Sequence, residues 1–239
     1  MNYFIGKKKS EYYDGLLVKA DLGLHQQIAG QVQQRLLRGG AVLDLGAGEG
    51  ALSARLADLG YVVTSVDKDA GSFKCSKTAF ERLDFDSAEQ IQGFVSRHEA
   101  MFDAVLGIEV IEHVQDPWQY VRQLMKMVKP GGLVLITTPN TSSWLSRVMF
   151  LLTGRFHQFG DADLPYGHIS PISPWELELI LKSEGALAIE MQPAGTLPPV
   201  YINGSVRMLA MNLLALLLRP FSTGILDGWC VMATARKPE

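Results

Sequence analysis

The sequence predicts an α/β fold, a doubly wound and mainly parallel sheet with helices on both faces. Three observations predict it. Short β-rich runs alternate with helical stretches between residues 41 and 137. Such alternation implies parallel strands joined by right-handed crossovers. The first strand also runs into a glycine-rich bend that opens a helix. The 239 residues, 47% of them hydrophobic and 20% charged, suffice for one such domain with a substantial core.

Residues 41–45 form a compact apolar run ending in glycines, the first strand. Leu52, Leu56 and Leu59 recur at helical spacing over 51–59, which stops at Gly60. The β-branched run 61–66 ends at Asp67 and reads as the second strand. A weaker third strand covers 79–84, and a helix follows over 87–98 with Ser87 as N-cap and Gln90 three residues on. The fourth strand is 102–108. A helix over 117–128 starts with Asp116 as N-cap and Pro117 in the first helical position. Pro130-Gly131-Gly132 predicts a turn before a fifth strand at 133–137. Beyond Pro139 the pattern loosens: an apolar stretch with Arg147 and Arg155 over 142–156, a loop over 156–174, a helix over 174–183, and strands near 186–191 and 229–235 flanking a long insertion. The single domain thus divides into an N-terminal helical cap (1–39), a cofactor-binding core (40–140), a lid or acceptor segment (141–174) and a C-terminal part of the sheet with an apolar insertion (175–239).

The net charge is −3, and no basic block stands out beyond Lys7-Lys8-Lys9, which reads as a solvated end. A dedicated nucleic-acid surface would need a basic face, so no nucleic-acid partner is expected. Cys75 and Cys230 are isolated, which removes zinc and redox pairs and fits a reducing compartment. The N-terminus lacks the pattern of a signal peptide. The longest apolar run, 208–218, is broken by Asn212 and is shorter than the roughly 20 residues a bilayer span needs. A cytoplasmic location is the expectation.

The bend Asp44-Leu45-Gly46-Ala47-Gly48-Glu49-Gly50 is the strongest motif. Gly46 and Gly48 can take positive φ and allow a ligand close to the backbone. Asp67, seventeen positions after Gly50, ends the second strand, where a carboxylate can accept from both hydroxyls of an adenosine ribose. Dinucleotide enzymes favour Gly-x-Gly-x-x-Gly beneath a diphosphate, whereas the spacing here is Gly-x-Gly-x-Gly. Asp44 would repel a diphosphate and suit an ammonium or sulfonium group.

On these residues the chain, over about 40–185, resembles the class I S-adenosylmethionine-dependent methyltransferases. The resemblance implies a Rossmann-like sheet of seven strands with the last antiparallel. It implies that Gly46 to Gly50 pass beneath the methionine part of S-adenosyl-L-methionine and that Asp67 holds the ribose. Asp84 would accept from the adenine amino group, with the Phe85 N–H nearby. The implied cofactor-binding set is Asp44, Gly46, Ala47, Gly48, Glu49, Gly50, Asp67, Lys68, Asp84, Phe85, Ile108 and Tyr13. Tyr12 and Tyr13 are placed in the cap, where similar enzymes use aromatics to close over the cofactor or acceptor; His25 reads as a packing residue.

Glu109, Glu112 and His113 follow the fourth strand. Once the chain turns helical, positions i, i+3 and i+4 share a face, at the sheet edge where ligands bind. His168 comes later, in Tyr166-Gly167-His168-Ile169-Ser170. Three readings are open. His113, aided by Glu112, serves as a general base for an acceptor hydroxyl. Alternatively, Glu109, Glu112, His113 and His168 hold a divalent metal such as Mg²⁺ or Mn²⁺. In the third reading His113 only bonds a backbone carbonyl. The pattern is similar to that of ubiquinone-biosynthesis O-methyltransferases, and of small-RNA 2′-O-methyltransferases, in which such groups bind metal; the RNA enzymes carry a more elaborate histidine-bearing segment.

The expected activity is methyl transfer to a small-molecule acceptor, O-directed, by in-line displacement. A cofactor-binding protein without catalysis and an NAD(P)-dependent oxidoreductase are the alternatives. The apolar stretches 144–156 and 206–221 admit three uses: an apolar or lipid-linked acceptor pocket, a peripheral membrane contact, or a lid or homodimer contact.

Overall fold

The computed structural model describes residues 10–201 and 205–239, so the lysine run at 7–9 lies outside the described residues. Strands β1 (Glu11–Tyr13) and β2 (Leu16–Val18) form a separate hairpin, and helix α1 (Leu24–Arg35) follows. The N-terminal segment is therefore part hairpin and not wholly helical. Asp14 and Gly15, both at positive φ, make the two-residue turn that a hairpin favours.

The main sheet comprises β3 (Ala41–Leu45), β4 (Val62–Asp67), β5 (Ala79–Arg82), β6 (Phe102–Ile108), β7 (Val128–Pro139), β8 (Leu187–Ala194) and β9 (Cys230–Arg236). Their spatial order is β5-β4-β3-β6-β7-β9-β8. The first five pair in parallel, and the last strand of the chain, β9, slots antiparallel between β7 and β8. Helices α2 (Ala51–Asp58), α3 (Ala88–Arg97), α4 (Pro117–Met127), α5 (Trp144–Thr153), α6 (Pro174–Ser183) and α7 (Val206–Leu218) complete the fold.

Strand alternation sends successive side chains to opposite faces. Leu43, Val105 and Val134 pack beneath α3, α4 and α6 with Phe94, Leu124 and Ile180. Val42, Leu106 and Leu135 pack on the other face with Ile28 of α1, Leu56 of α2, Trp144 of α5 and Met211 of α7. The helix starts follow local chemistry: Ser87, Asp116, Ser143, Ser173 and Ser205 each accept a hydrogen bond from a backbone N–H of the first turn.

The Pro-Gly-Gly at 130–132 does not end a helix and restart a strand. β7 runs unbroken through it, and the irregularity is absorbed as a bulge: Phe102 pairs with Val128, but Ala104 pairs with Leu133. The third strand ends at Arg82, two residues short of Asp84. Because β3 sits between β4 and β6, the order reverses there, and a crevice opens beyond the carboxyl ends of these strands.

Candidate active site

A cleft of about 370 Å³ occupies that crevice. Its floor is the bend between β3 and α2. The N–H groups of Gly46 and Ala47 both donate to the Val66 carbonyl of β4, at 2.8 and 3.0 Å, which turns the bend across the sheet edge. Gly46 has φ +78, and a Cβ there would lie 2.3 Å from Cγ2 of Val110. Only glycine fits that position. Gly50, at φ +91, is held similarly, with Cys75 Cβ 2.4 Å from where its Cβ would be.

Gly46, Gly48, Asp67, Lys68, Asp84, Phe85 and Ile108 all line the cleft, joined by Glu109 and His113. Asp67 Oδ2 accepts from the Gly48 N–H at 2.8 Å and Oδ1 from the Asp69 N–H at 2.9 Å, so the carboxylate is oriented by the backbone it faces. Asp84 accepts from the Asp86 N–H at 3.0 Å. Phe85 stands edge-on to Tyr120, with ring centroids 5.6 Å apart.

Asp44, Ala47 and Glu49 line an adjoining cavity of about 30 Å³ with Lys19 and His25, which shares Lys19, Gly46, Gly48 and Ile108 with the cleft. Asp44 is 1% exposed, and Ser53 Oγ donates to it at 2.5 Å. Burial pushes its carboxyl up to about 7, against the pull of the Ser53 hydrogen bond. His25 is buried with no hydrogen-bond partner at Nδ1, and burial drives its pKa down to about 4. Glu49 accepts from the Leu17 N–H and from Lys74, which ties the hairpin to the bend; the Lys74 bond holds its pKa below the usual range. Tyr13 donates to Asp58 and lies under the guanidinium of Arg55, on α2 and away from the cleft.

The Glu-Glu-His segment does not continue as an α-helix. Glu109 sits at φ +53, and the chain then makes a short 3₁₀ turn at Ile111–His113. Thr137 donates to Glu109 Oε1 at 2.9 Å and Cys230 Sγ to its Oε2 at 3.3 Å. Glu112 is wholly buried; Thr138 donates to its Oε2 at 3.2 Å, while Oε1 is buried without a hydrogen-bond partner. Burial first, and the neighbouring Glu109 second, raise the Glu112 pKa well above the usual carboxylate range.

His168 arrives from the long loop because Ile169 and Ser170 N–H donate to the Glu112 carbonyl and Ser170 Oγ to the Val114 carbonyl. Gly167 makes the approach possible: at φ +85, its Cβ would lie 3.0 Å from His113 Nδ1. The His113 and His168 rings meet edge to face at 4.9 Å. Ligand atoms of Glu112, His113 and His168 lie within 4.8 Å of one another, and Glu109 is not part of this trio. His168 Nδ1 is 2.8 Å from the Gln158 carbonyl, so that nitrogen donates and leaves the Nε2 lone pair free for the trio. Burial lowers the His113 pKa, and His168 adds to the effect.

Sequence reasoning missed Lys19, Asp69, Ser72, Val110, Val114 and Tyr166 in the cleft, and Asp86, the neighbouring candidate to Asp84, lines it too. Tyr166 lay in the segment flagged for His168. Lys19, on the chain leaving the hairpin, had no local signal at all.

A sequence profile of the family described as methyltransferase domain matches residues 23–189. Among curated proteins, a ubiquinone biosynthesis O-methyltransferase of Caulobacter vibrioides is 39% identical over 105 residues, covering 41% of this chain and 40% of that protein. One from Ruegeria pomeroyi is 34% identical over 122 residues, covering 48% and 49%. The chain thus spans less than half the length of these relatives. Among solved structures, an S-adenosylmethionine-dependent methyltransferase from Archaeoglobus fulgidus superposes with a TM-score of 0.58 at 16% identity, covering 89% of this chain and 94% of that one. Phosphoethanolamine N-methyltransferase 2 of Haemonchus contortus, solved with S-adenosyl-L-methionine, gives 0.60 at 16% identity, covering 93% and 54%. The chain belongs to the methyltransferase domain family, and its fold is that of the class I S-adenosylmethionine-dependent methyltransferases.

Proposed function

We propose that the protein transfers a methyl group from S-adenosylmethionine to a hydroxyl oxygen of a small apolar acceptor. One observation carries this reading. Five carboxylates (Asp67, Asp69, Asp84, Asp86 and Glu109) line the cleft against two lysines, with His113 on the same wall. Such a field repels a diphosphate and suits a cationic nucleoside. Apolar Phe85, Ile108, Val110 and Val114 supply faces for an adenine ring, and the volume is in the range of small-molecule sites. Asp44, buried beside the adjoining cavity, would add to this field once ionised.

When bound, S-adenosylmethionine supplies an electrophilic methyl whose transfer turns a sulfonium into a neutral thioether. Asp67 and Asp84 would then orient the nucleoside, and the glycine bend would allow the backbone close to it. The chain's main contribution is alignment and exclusion of water. His113, kept neutral by burial, is the group able to accept the acceptor's proton. An O-directed reaction is favoured by the names of the curated relatives and an apolar, lipid-linked acceptor by the same names; the N-methyltransferase among the structural neighbours shows the fold alone. Calorimetric titration with S-adenosylhomocysteine tests the reading: binding is expected, none is expected with NADH, and the reverse overturns it.

A divalent metal is a second reading, favoured by the unpartnered Glu112 Oε1 and the tautomer of His168. Glu112, His113 and His168 would hold the ion, which would acidify a hydroxyl bound beside it. Mg²⁺ or Mn²⁺ should then raise the thermal midpoint, and His168→Ala should abolish that rise; a midpoint indifferent to both ions removes this reading.

A further inference from the structure

Helices α5 and α7 pack together on one face of the sheet through Trp144, Leu145, Val148, Met208 and Met211. A surface helix ordinarily turns a polar face to water. α7 does not. Opposite its buried Met208, Met211 and Ala215 it exposes Val206, Leu209, Leu213, Leu216 and Leu217, spaced along one helical stripe. Phe221 follows at 85% exposure, and neighbouring α5 exposes Phe150, Leu151 and Leu152. Soluble monomers rarely leave so continuous an apolar surface.

The two helices and their flanks carry charge of one sign. Positions 141–160 and 205–226 hold four arginines and not one Asp or Glu, in a chain of net charge −3. Arg155 and Arg219 pair with Asp161 and Asp227 from adjoining loops. Among the described residues Arg147 donates to the Ser142 and Thr223 carbonyls, which do not offset its charge. An apolar cavity of about 190 Å³ opens between the two helices beside Arg147 and Arg219. Among the described residues no helix is long and apolar enough to cross a membrane. At 1.5 Å per residue, α7 runs about 20 Å, a length suited to lying along an interface.

We propose that this α5–α7 face is a docking surface for an anionic lipid bilayer. The leucine and phenylalanine side chains enter the boundary between headgroups and acyl chains, and the bordering arginines meet phosphate. A second copy of the chain fits less well, because a two-fold contact sets each patch against itself and brings like charges together. The loop that leaves α5 carries Tyr166 to the cleft wall and His168 against His113, so one segment joins the docking face to the site. Docking requires nothing of the cleft's chemistry, and its test is read apart from cofactor binding.

The test is co-sedimentation with vesicles of equimolar phosphatidylcholine and phosphatidylglycerol, alongside pure phosphatidylcholine. The protein is expected to sediment with the anionic vesicles, several-fold less with the neutral ones, and less again at high salt. Leu213→Glu with Leu217→Glu should weaken partitioning at least about tenfold, with thermal midpoint unchanged since both side chains are exposed. Absence of sedimentation by folded protein overturns the proposal. So does sedimentation that the double variant retains. A concentration-dependent dimer that the same variant abolishes, without vesicle binding, assigns the face to a second copy and overturns it equally.

Discussion

Replacing Gly46 by alanine is the sharpest test of how the cleft floor is built. Two effects act at once. The backbone at φ +78 is a left-handed conformation, which costs a residue with a Cβ about 1–2 kcal/mol. The new methyl would also stand 2.3 Å from Val110 Cγ2, and such overpacking costs about 1–3 kcal/mol. Together they predict a loss of about 2–5 kcal/mol, a large share of the stability of an ordinary domain. Urea denaturation followed by circular dichroism measures it. The two components separate with Val110→Ala, which removes the clashing methyl and leaves the backbone strain. In the double-mutant cycle Gly46→Ala and Val110→Ala should couple favourably by about 1–2 kcal/mol, while S-adenosylhomocysteine affinity remains reduced because the bend is still strained. A stable Gly46→Ala protein with unaltered affinity, or zero coupling to Val110, would falsify this account of the bend.

Three further outcomes follow from the same geometry. Asp67→Ala should weaken S-adenosylhomocysteine binding by about 1.5–3 kcal/mol, since it removes the oriented acceptor pair at the cleft; unchanged calorimetric affinity would remove Asp67 from the site. His25 is held neutral in the fold with its pKa near 4, below the usual 6.5, so the unfolded chain binds the proton more readily between those values. Stability should therefore fall by about 2–3 kcal/mol as pH drops from 6.5 to 4, and His25→Phe should flatten that part of the urea-midpoint profile. Asp44 behaves oppositely, with its folded pKa raised to about 7: its contribution is full below the ordinary carboxylate value and lost as pH rises through 7. A cationic ligand bound near it should expel its proton, so calorimetry at pH 7 in buffers of different ionisation enthalpy should register proton release, absent in Asp44→Asn.

The sheet was legible where apolar runs were framed by breakers. The strand at 102–108 and the helix starting at Pro117 stand where the residues put them, because Asp116 caps and Pro117 begins the helix regardless of context. Where tertiary pairing overrides local chemistry, the reading failed. Pro130-Gly131-Gly132 looks like a turn in isolation, yet β6 pairs with Val128 before it and Leu133 after it, and Gly131 and Gly132 bond to the Lys237 backbone, which keeps it within β7 as a bulge. The hairpin at 11–18 was hidden because its strands are three residues each. In the site, the glycine bend and Asp67 carried their own signal. The fate of Asp44 did not, since nothing near it in sequence shows that Ser53, one helix turn into α2, would cover it. Glu109 and Glu112 seemed to share a face only on the premise of an α-helix, which the positive φ at Glu109 breaks.

The side chain of Asn140, the residue just past β7, donates to the carbonyls of Ile225, Asp227 and Gly228, while its Oδ1 receives the Ser142 N–H. One amide thereby staples the exit into α5 to the return from α7. The two greasy helices consequently share this anchor as well as their packed face, and a tilt of one must be transmitted to its companion.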